Sequence, residues 1–336
     1  MSVFKNIAII SKISDNSVKD SLDAVVNFLN KKSISYFLDQ NSCLLLKNKK
    51  ETSIEEIKKK CDMAFIIGGD GTLLRSAQDL SKADIPICGI NRGRLGYLVD
   101  ISPNHIEENL ESIFSDDFTI DERISLEGTI LRGGKEVSRN ISFNDVVINS
   151  KDARMIELDA FVNGEILYTI NADGLVVSTP TGSTAYSLSS GGPILEPTME
   201  ALLMVPICPH LLSNRPIVIN MDSVIKIKLS DNIKTNASVT FDGQISVPIQ
   251  ANDIIKICKS DITLKLIQPP GINFLSILRE KLIAYLEQIN EKAKRDKCYY
   301  KVKARYDVWP SAYGSLSLSK CRKVGAANWG NKSKKK

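Results

Sequence analysis

Residues 63–67, Met-Ala-Phe-Ile-Ile, form an unbroken apolar run that passes directly into Gly68-Gly69-Asp70-Gly71-Thr72, after which Leu73, Leu74, Ala77 and Leu80 recur at helical spacing. A short apolar run without alternation reads as a strand buried on both faces, and a helix directly after it reads as a crossover. The junction therefore constrains the chain to a parallel sheet covered by helices on both sides. Its neighbours repeat the alternation. Residues 4–10 read as a strand, and residues 18–29 as a helix with Leu22, Val25, Val26 and Leu29 on one face. Residues 36–38 and 43–46 read as short strands, 54–60 as a charged helix, and 85–90 as a second buried strand ending in Asn91-Arg92-Gly93. An α/β domain over residues 1–118 is expected.

Beyond residue 118 the pattern changes. Runs rich in Ile, Val, Thr and Phe recur at 125–131, 146–149, 156–162, 166–170, 174–178, 218–220, 224–229, 238–241, 254–258 and 262–267. Turn residues separate them, and Asn163-Gly164 is a strong hairpin signal. Residues 119–272 are expected to form an all-β, sandwich-like domain with one helical interruption beginning near Ser183. Residues 273–290 return to helical spacing, with Leu275, Leu278, Leu282, Tyr285, Leu286 and Ile289 on a face suited to docking on the body. Residues 291–336 are a basic, aromatic-containing extension too poor in aliphatic residues for a core of ordinary size. A chain of 336 residues accommodates two such domains and an appendage.

Charge sharpens this division. The chain carries 44 Lys and Arg against 39 Asp and Glu, a net of +5. Residues 291–336 hold 14 of the basic and 3 of the acidic residues, a net of +11, so the remaining 290 residues are acidic at −6. The net +5 is therefore no evidence that the whole chain binds nucleic acid, and a nucleotide- or nucleic-acid-binding protein that has lost catalysis stays in view as a third reading. Within the extension, Tyr306, Trp309, Tyr313 and Trp329 interleave with Lys301, Lys303, Arg305, Arg322 and Lys323, a composition that can stack bases and pair with phosphates. A solvated or self-associating appendage is the alternative, and nucleic acid is an open partner of residues 291–336 only.

No run reaches the 18 apolar residues of a membrane span, and no secretory leader is recognised, so no membrane partner and a cytoplasmic location are expected. Seven cysteines without a C-x-x-C pair, most beside apolar runs, read as reduced thiols with no structural zinc. Two histidines supply neither a His-based metal site nor a Ser-His-Asp hydrolase.

Three constellations carry chemistry. In Gly68 to Thr72, residues without a Cβ let backbone N–H groups approach an anion, and the helix that follows adds its positive end. A carboxylate there would repel phosphate unless it holds a cation or takes a proton from an attacking hydroxyl; the alternative is that Asp70 merely caps the helix. The second constellation is Asp173-Gly174 followed by residues 179–193, of which eight of fifteen are Ser, Thr or Tyr. Such a stretch can wrap a polar planar ligand such as a nucleotide, or be a solvated loop with an N-cap. The third, Asn144-Asp145 before a strand, suits a ribose, though such a pair is also an ordinary turn.

These residues resemble the NAD kinase family. The resemblance runs through Gly68-Gly69-Asp70-Gly71-Thr72 with Leu73, Leu74, Arg75 and Ala77, then residues 91–98, Asn144-Asp145, residues 173–193, residues 205–216 and Phe241-Asp242-Gly243-Gln244. It implies a site in the crevice between the two domains, a homo-oligomer (dimer or tetramer), and transfer of the γ-phosphoryl of ATP to the 2′-hydroxyl of the adenosine ribose of NAD, giving NADP. Asp70 is then the general base. Gly68, Gly69, Gly71, Thr72 and Arg75 face ATP and its phosphates. Asp70, Gly71, Tyr97, Asn144, Asp145, Asn171, Asp173, Thr181, Thr184, Ala185, Tyr186, Ser189 and Gln244 face NAD. Mg²⁺ or another divalent cation is held mainly by ATP, with no dedicated protein ligands, and Arg75, Arg92, Arg94 and Arg215 are candidates for neutralising phosphate. Two departures stand out. Asp145 replaces the more frequent Glu, and Asn171 stands where Gram-negative relatives often carry an Arg associated with preference for NAD over NADH. The pattern at Thr181, Ser183 and Thr184 resembles the ATP-dependent type. The runner-up is a lipid or other small-molecule kinase sharing the same glycine-rich loop.

Overall fold

A computed structural model describes residues 4–12, 15–47, 50–92, 96–99, 101–152, 154–211, 214–230, 236–292, 297–304 and 321. The chain divides into two compact units, Met1–Ile277 and Leu278–Lys336.

The first unit begins with the expected alternation: β1 (Asn6–Ser11), α1 (Lys19–Lys31), β2 (Ser35–Leu38), α2 (Gln40–Leu46), α3 (Ile54–Lys60), β3 (Met63–Gly68), α4 (Asp70–Leu80), β4 (Ile87–Asn91), α5 (Ile106–Phe114) and β5 (Thr119–Arg123). The all-β part follows: β6 (Leu126–Arg132), β7 (Lys135–Ser142), β8 (Asp145–Ser150), β9 (Ile156–Val162), β10 (Glu165–Ala172) and β11 (Gly174–Ser178). A 3₁₀ turn, Thr181–Thr184, and α6 (Tyr186–Ser189) interrupt it, before β12 (Ala201–Ile207), β13 (Ile217–Asn220), β14 (Ile225–Leu229), β15 (Ala237–Phe241), β16 (Ile245–Ile249), β17 (Ile254–Lys259) and β18 (Leu264–Gln268).

Three six-stranded sheets result. The first, ordered β2-β1-β3-β4-β18-β5, is parallel from β2 through β18, and only β5 runs antiparallel, against β18. The parallel sheet is thus completed by a strand that returns from beyond the all-β region. Residues of β3 are buried throughout, with α1 and α5 packed over one face and α3 and α4 over the other. The second and third sheets, β10-β9-β14-β17-β6-β7 and β13-β12-β11-β8-β15-β16, are antiparallel and enclose a common apolar core that includes Leu158, Ile227 and Ile255 from one and Val146, Val177 and Val239 from the other. This is the expected α/β domain followed by a β-sandwich.

Two local expectations fail for physical reasons. Residues 43–46 are the end of helix α2 rather than a strand: the Asp39 carboxylate accepts from Ser42 N–H at 2.9 Å and caps it, and burial falls on Ser42 and Cys43 while Leu44 is 71% exposed. Strands β5, β7 and β16 were not among the expected runs, and neither was β12. It is buried on both faces, so it lacks alternation, and Pro206 within it argues against a strand although it pairs with Leu175 of β11. The helical interruption begins at Thr181, two positions earlier than expected.

Helix α7 (Phe274–Lys292) begins in the first unit and continues into the second, with Leu275 and Leu282 exposed; α8 (Lys297–Lys303) follows. The second unit corrects the expectation of reduced thiols throughout. Cys298 and Cys321 form a disulfide with Cα atoms 5.6 Å apart, and both are buried with Val302. Their 23-residue separation carries no motif that sequence reading could use. Cys43, Cys61 and Cys88 are buried and take no part in a disulfide. The candidate base-stacking residues Tyr306, Trp309, Tyr313 and Trp329, with Arg305, Arg322 and Lys323, lie outside the described residues. No helix among the described residues is long and apolar enough to cross a membrane.

Phe65 is fully buried at the centre of β3. Phe65→Ala removes its packing and leaves a cavity in a two-sided core, so urea denaturation is expected to show a loss of about 3–5 kcal/mol.

Candidate active site

β3 ends at Gly68 and α4 begins at Asp70, so the glycine-rich loop lies at the C-terminal end of a central parallel strand, where α/β sheets open toward ligands. Gly68 needs its missing side chain, since a Cβ there would stand 2.7 Å from Thr72 Oγ1. The Gly69 carbonyl accepts from Thr72 N–H at 2.8 Å and starts the helix without help from a side chain. Asp70 is therefore no N-cap. Its carboxylate instead accepts from the backbone N–H of Tyr97 at 2.9 Å and of Leu98 at 3.2 Å. A carboxylate offers about four acceptor positions, so these two bonds fix its orientation and leave lone pairs for a further donor. Tyr97 packs its ring on Phe274 at 6.4 Å, and burial, with the Asp70 charge second, pushes its phenol up.

A cavity of about 470 Å³ lies over this loop, lined by Gly69, Gly71, Thr72, Arg75 and Gln244 from the expected set. Lys12, Asp39 and Arg92 line it as well. Arg75 Nε donates to Gln244 Oε1 at 3.3 Å, joining α4 to the β15–β16 turn. Asp15 pairs with Arg92 at 2.5 Å and with Lys12 at 3.2 Å; the Ser17 hydroxyl and N–H first, then Lys12 and Arg92, hold its carboxyl well below the usual range. Lys12, Arg75 and Arg92 thus line the cavity beside the N-terminus of α4, together with the carboxylate of Asp39.

A second cavity, about 360 Å³, is lined by Asn144, Asp145, Ala185 and Tyr186, together with Thr240, Asp242 and Gly243. Asp145 and Asp242 are buried carboxylates beside one another. Burial first, and the Asp242 charge second, push the Asp145 carboxyl up to about 7. Burial pushes Asp242 to about 6 against three backbone hydrogen bonds that favour its charge. The turn Asp242-Gly243-Gln244 contributes to both cavities, Gly243 to this one and Gln244 to the first.

The remaining expected residues are more dispersed. Thr181 is buried and its hydroxyl accepts from Arg123 at 3.2 Å; Arg123 is itself 3% exposed and paired with Asp121. Thr184 donates its hydroxyl to the Thr181 carbonyl at 3.2 Å. Asn171 and Asp173 are exposed at the β10–β11 corner, and Ser189 is exposed on α6. None of these five lines either cavity, and neither do Gly68, Asp70 and Tyr97. Arg94 lies outside the described residues. Sequence reading missed Lys12, Asp39 and Arg123. Each sits at the end of a strand whose partner is far away in the chain, so only the pairing order of the sheets reveals it.

A family model of the ATP-NAD kinase N-terminal domain matches residues 7–118, and a model of the C-terminal domain matches residues 143–269. An NAD kinase of Teredinibacter turnerae is 40% identical over 285 residues, covering 84% of this chain and 97% of the relative. An NAD kinase of Marinobacter nauticus is 39% identical over the same length and shares. The chain belongs to the NAD kinase family. Among solved structures, yeast NADH kinase complexed with NADH shares the fold, with a TM-score of 0.73 at 24% identity over 83% of this chain and 87% of that one. An Archaeoglobus fulgidus NAD kinase in complex with ATP gives 0.63 at 26% identity over 79% of this chain and 94% of that one.

The family assignment makes one position testable through the Asp70 anchor. A Cβ at Gly96 would stand 2.1 Å from Asp70 Oδ1. Because only the carboxylate end has to give way, Gly96→Ala is expected to keep its unfolding midpoint within a few degrees while displacing Asp70. NADP formation should then fall by about tenfold or more, as expected for a misplaced proton acceptor.

Proposed function

We propose that this chain phosphorylates the 2′-hydroxyl of the adenosine ribose of NAD at the expense of ATP, with Asp70 as general base. The observation that carries this reading is the pairing of two cavities through one turn. A cation-lined cavity over the glycine-rich loop suits a polyphosphate, and a neighbouring cavity lined by Asn144 and Asp145 suits a ribose. A ribose hydroxyl is a poor nucleophile at neutral pH, and the oriented Asp70 carboxylate is built to accept its proton as it attacks. Gly68, Gly69, Gly71 and Thr72 place the helix N-terminus against the phosphates, and Arg75, Lys12 and Arg92 offset their charge. Ala185 and Tyr186 wall the nucleoside side of the second cavity. We assign Tyr97, Asn171, Asp173, Thr181, Thr184, Ser189 and Gln244 to NAD as well. A lipid-kinase reading has no comparable support, for it would leave the polar second cavity without a use.

A divalent cation belongs to this reading, since it offsets triphosphate charge when bound. Among the described residues no group of three or more His, Cys, Asp or Glu side chains is set to hold a metal ion. We also read the α/β sheet, which takes in β5 and β18 from the expected 119–272 segment, and the sandwich between them as the two catalytic domains, the chain as a cytoplasmic homo-oligomer, dimer or tetramer, and residues 291–336 as an appendage.

With ATP, Mg²⁺ and NAD, the protein is expected to form NADP, read with an NADP-specific dehydrogenase; a parallel series with NADH measures the selectivity that Asn171 bears on. Asp70→Asn should lower kcat by about two orders of magnitude or more with nucleotide binding largely kept. No NADP from the wild-type chain would sink the assignment. Truncation after Gln288 should leave kcat essentially unchanged, and a large fall would instead make the extension part of the enzyme.

A further inference from the structure

Asp242 has no catalytic assignment, yet its surroundings are unusual. It is 8% exposed, it follows β15, and it holds a left-handed backbone with φ +50°. Its carboxylate accepts from three successive backbone N–H groups: Phe143 at 2.9 Å, Asn144 at 2.7 Å and Asp145 at 3.2 Å. Its own N–H donates to the Asp145 carbonyl at 3.0 Å. On the opposite side, Thr179 N–H donates to the Asn144 carbonyl at 2.9 Å, and the Thr179 hydroxyl donates to the Phe143 carbonyl at 2.6 Å. A Cβ at Gly182 would strike that Asn144 carbonyl. The backbone of residues 143–145 is thus held from both sides, and the only polar groups of Asn144 and Asp145 left for the cavity are their side chains.

Burying a second carboxylate beside Asp145 is costly, and an apolar residue at position 242 would avoid that cost. Three convergent N–H donors explain how the charge is tolerated, in the manner of a backbone nest around an anion. They do not explain why a charge stands there.

We propose that Asp242 is a positioning residue for the acceptor nucleotide: it shapes residues 143–145 so that the Asn144 and Asp145 side chains meet the ribose hydroxyls. The proposal rests on the assignment of the second cavity to NAD. It has an electrostatic corollary. The titratable groups lining the cavity with Asp145 are Asp242 and Tyr186, and no cation is among the described residues that line it. Ionised Asp145 accepts from two hydroxyls, and protonated Asp145 does so poorly, so the KM for NAD should rise as pH falls through about 7. The Asp242 charge holds that limb up, and removing it must move the limb to lower pH.

The test compares full-length wild type, Asp242→Asn and Asp145→Asn, with kcat and both KM values measured from about pH 5.5 to 8.5 and amide exchange followed in the ligand-free proteins. Asn tolerates the left-handed backbone, so Asp242→Asn preserves the turn while replacing an acceptor by a donor that faces other donors. It is expected to raise the KM for NAD by about tenfold, the scale of a lost charge-assisted hydrogen bond, with kcat and the KM for ATP within about twofold. The acid limb moves to lower pH, and amides 143–145 exchange faster. Asp145→Asn leaves exchange at 143–145 as in wild type but abolishes the limb, a result that does not require the Asp242 variant to fold. An unchanged KM for NAD, unchanged exchange, or a stationary limb in Asp242→Asn overturns the proposal. If Asp145→Asn leaves the KM for NAD untouched, the ribose assignment fails and takes the proposal with it. A wild type that makes no NADP refutes the function alone, and exchange at 143–145 then decides the clamp.

Discussion

A strand buried on both faces can meet a polar ligand only at its ends. β3 is such a strand, and its chain leaves the core at Gly68 with helices packed above and below. Every other feature of the site follows from that exit. The Gly69 carbonyl starts α4, and the Asp70 carboxylate makes no capping hydrogen bond to its own helix. Its orientation has to come from elsewhere, and the backbone at Tyr97 and Leu98 supplies it. Glycine at 96 is the condition for that contact, because the carboxylate occupies the space where a Cβ would stand.

The second half of the site is organised by a different physical device. In the α/β region, backbone donors at a helix end face solvent and await an anion. In the sandwich, the backbone donors of residues 143–145 are already occupied by a resident anion, Asp242. One cavity is thus lined by Lys12, Arg75 and Arg92 with Asp39, and the other by the carboxylates of Asp145 and Asp242. The turn that follows Asp242 reaches both cavities, so donor and acceptor seats share a single piece of backbone.

Sequence was most informative where chemistry and local geometry coincide. The run into Gly68-Gly69-Asp70-Gly71-Thr72 identified the strand, the helix and the loop together, and Asn163-Gly164 marked a hairpin that the structure contains between β9 and β10. It was least informative where tertiary pairing overrides local pattern. Residues 43–46 look like a strand until the Asp39 cap and one-sided burial make them a helix. β12 lacks alternation because both faces are covered. Asp242 stands out in the sequence only through the resemblance at Phe241-Asp242-Gly243-Gln244, since nothing local shows that its partners lie about a hundred positions earlier. The disulfide between Cys298 and Cys321 is illegible for the same reason.

The return of β18 into the first sheet bears on how the molecule is made. The parallel sheet presents an unpaired β4 edge until Leu264–Gln268 arrives, and that segment emerges only after the whole sandwich has been synthesised. During synthesis the amino-terminal half therefore cannot close its own core, and an apolar edge must wait for a late, long-range partner. Such non-local closure is slow and leaves an aggregation-prone intermediate exposed. The first sheet is consequently completed only when β18 pairs with β4 and β5.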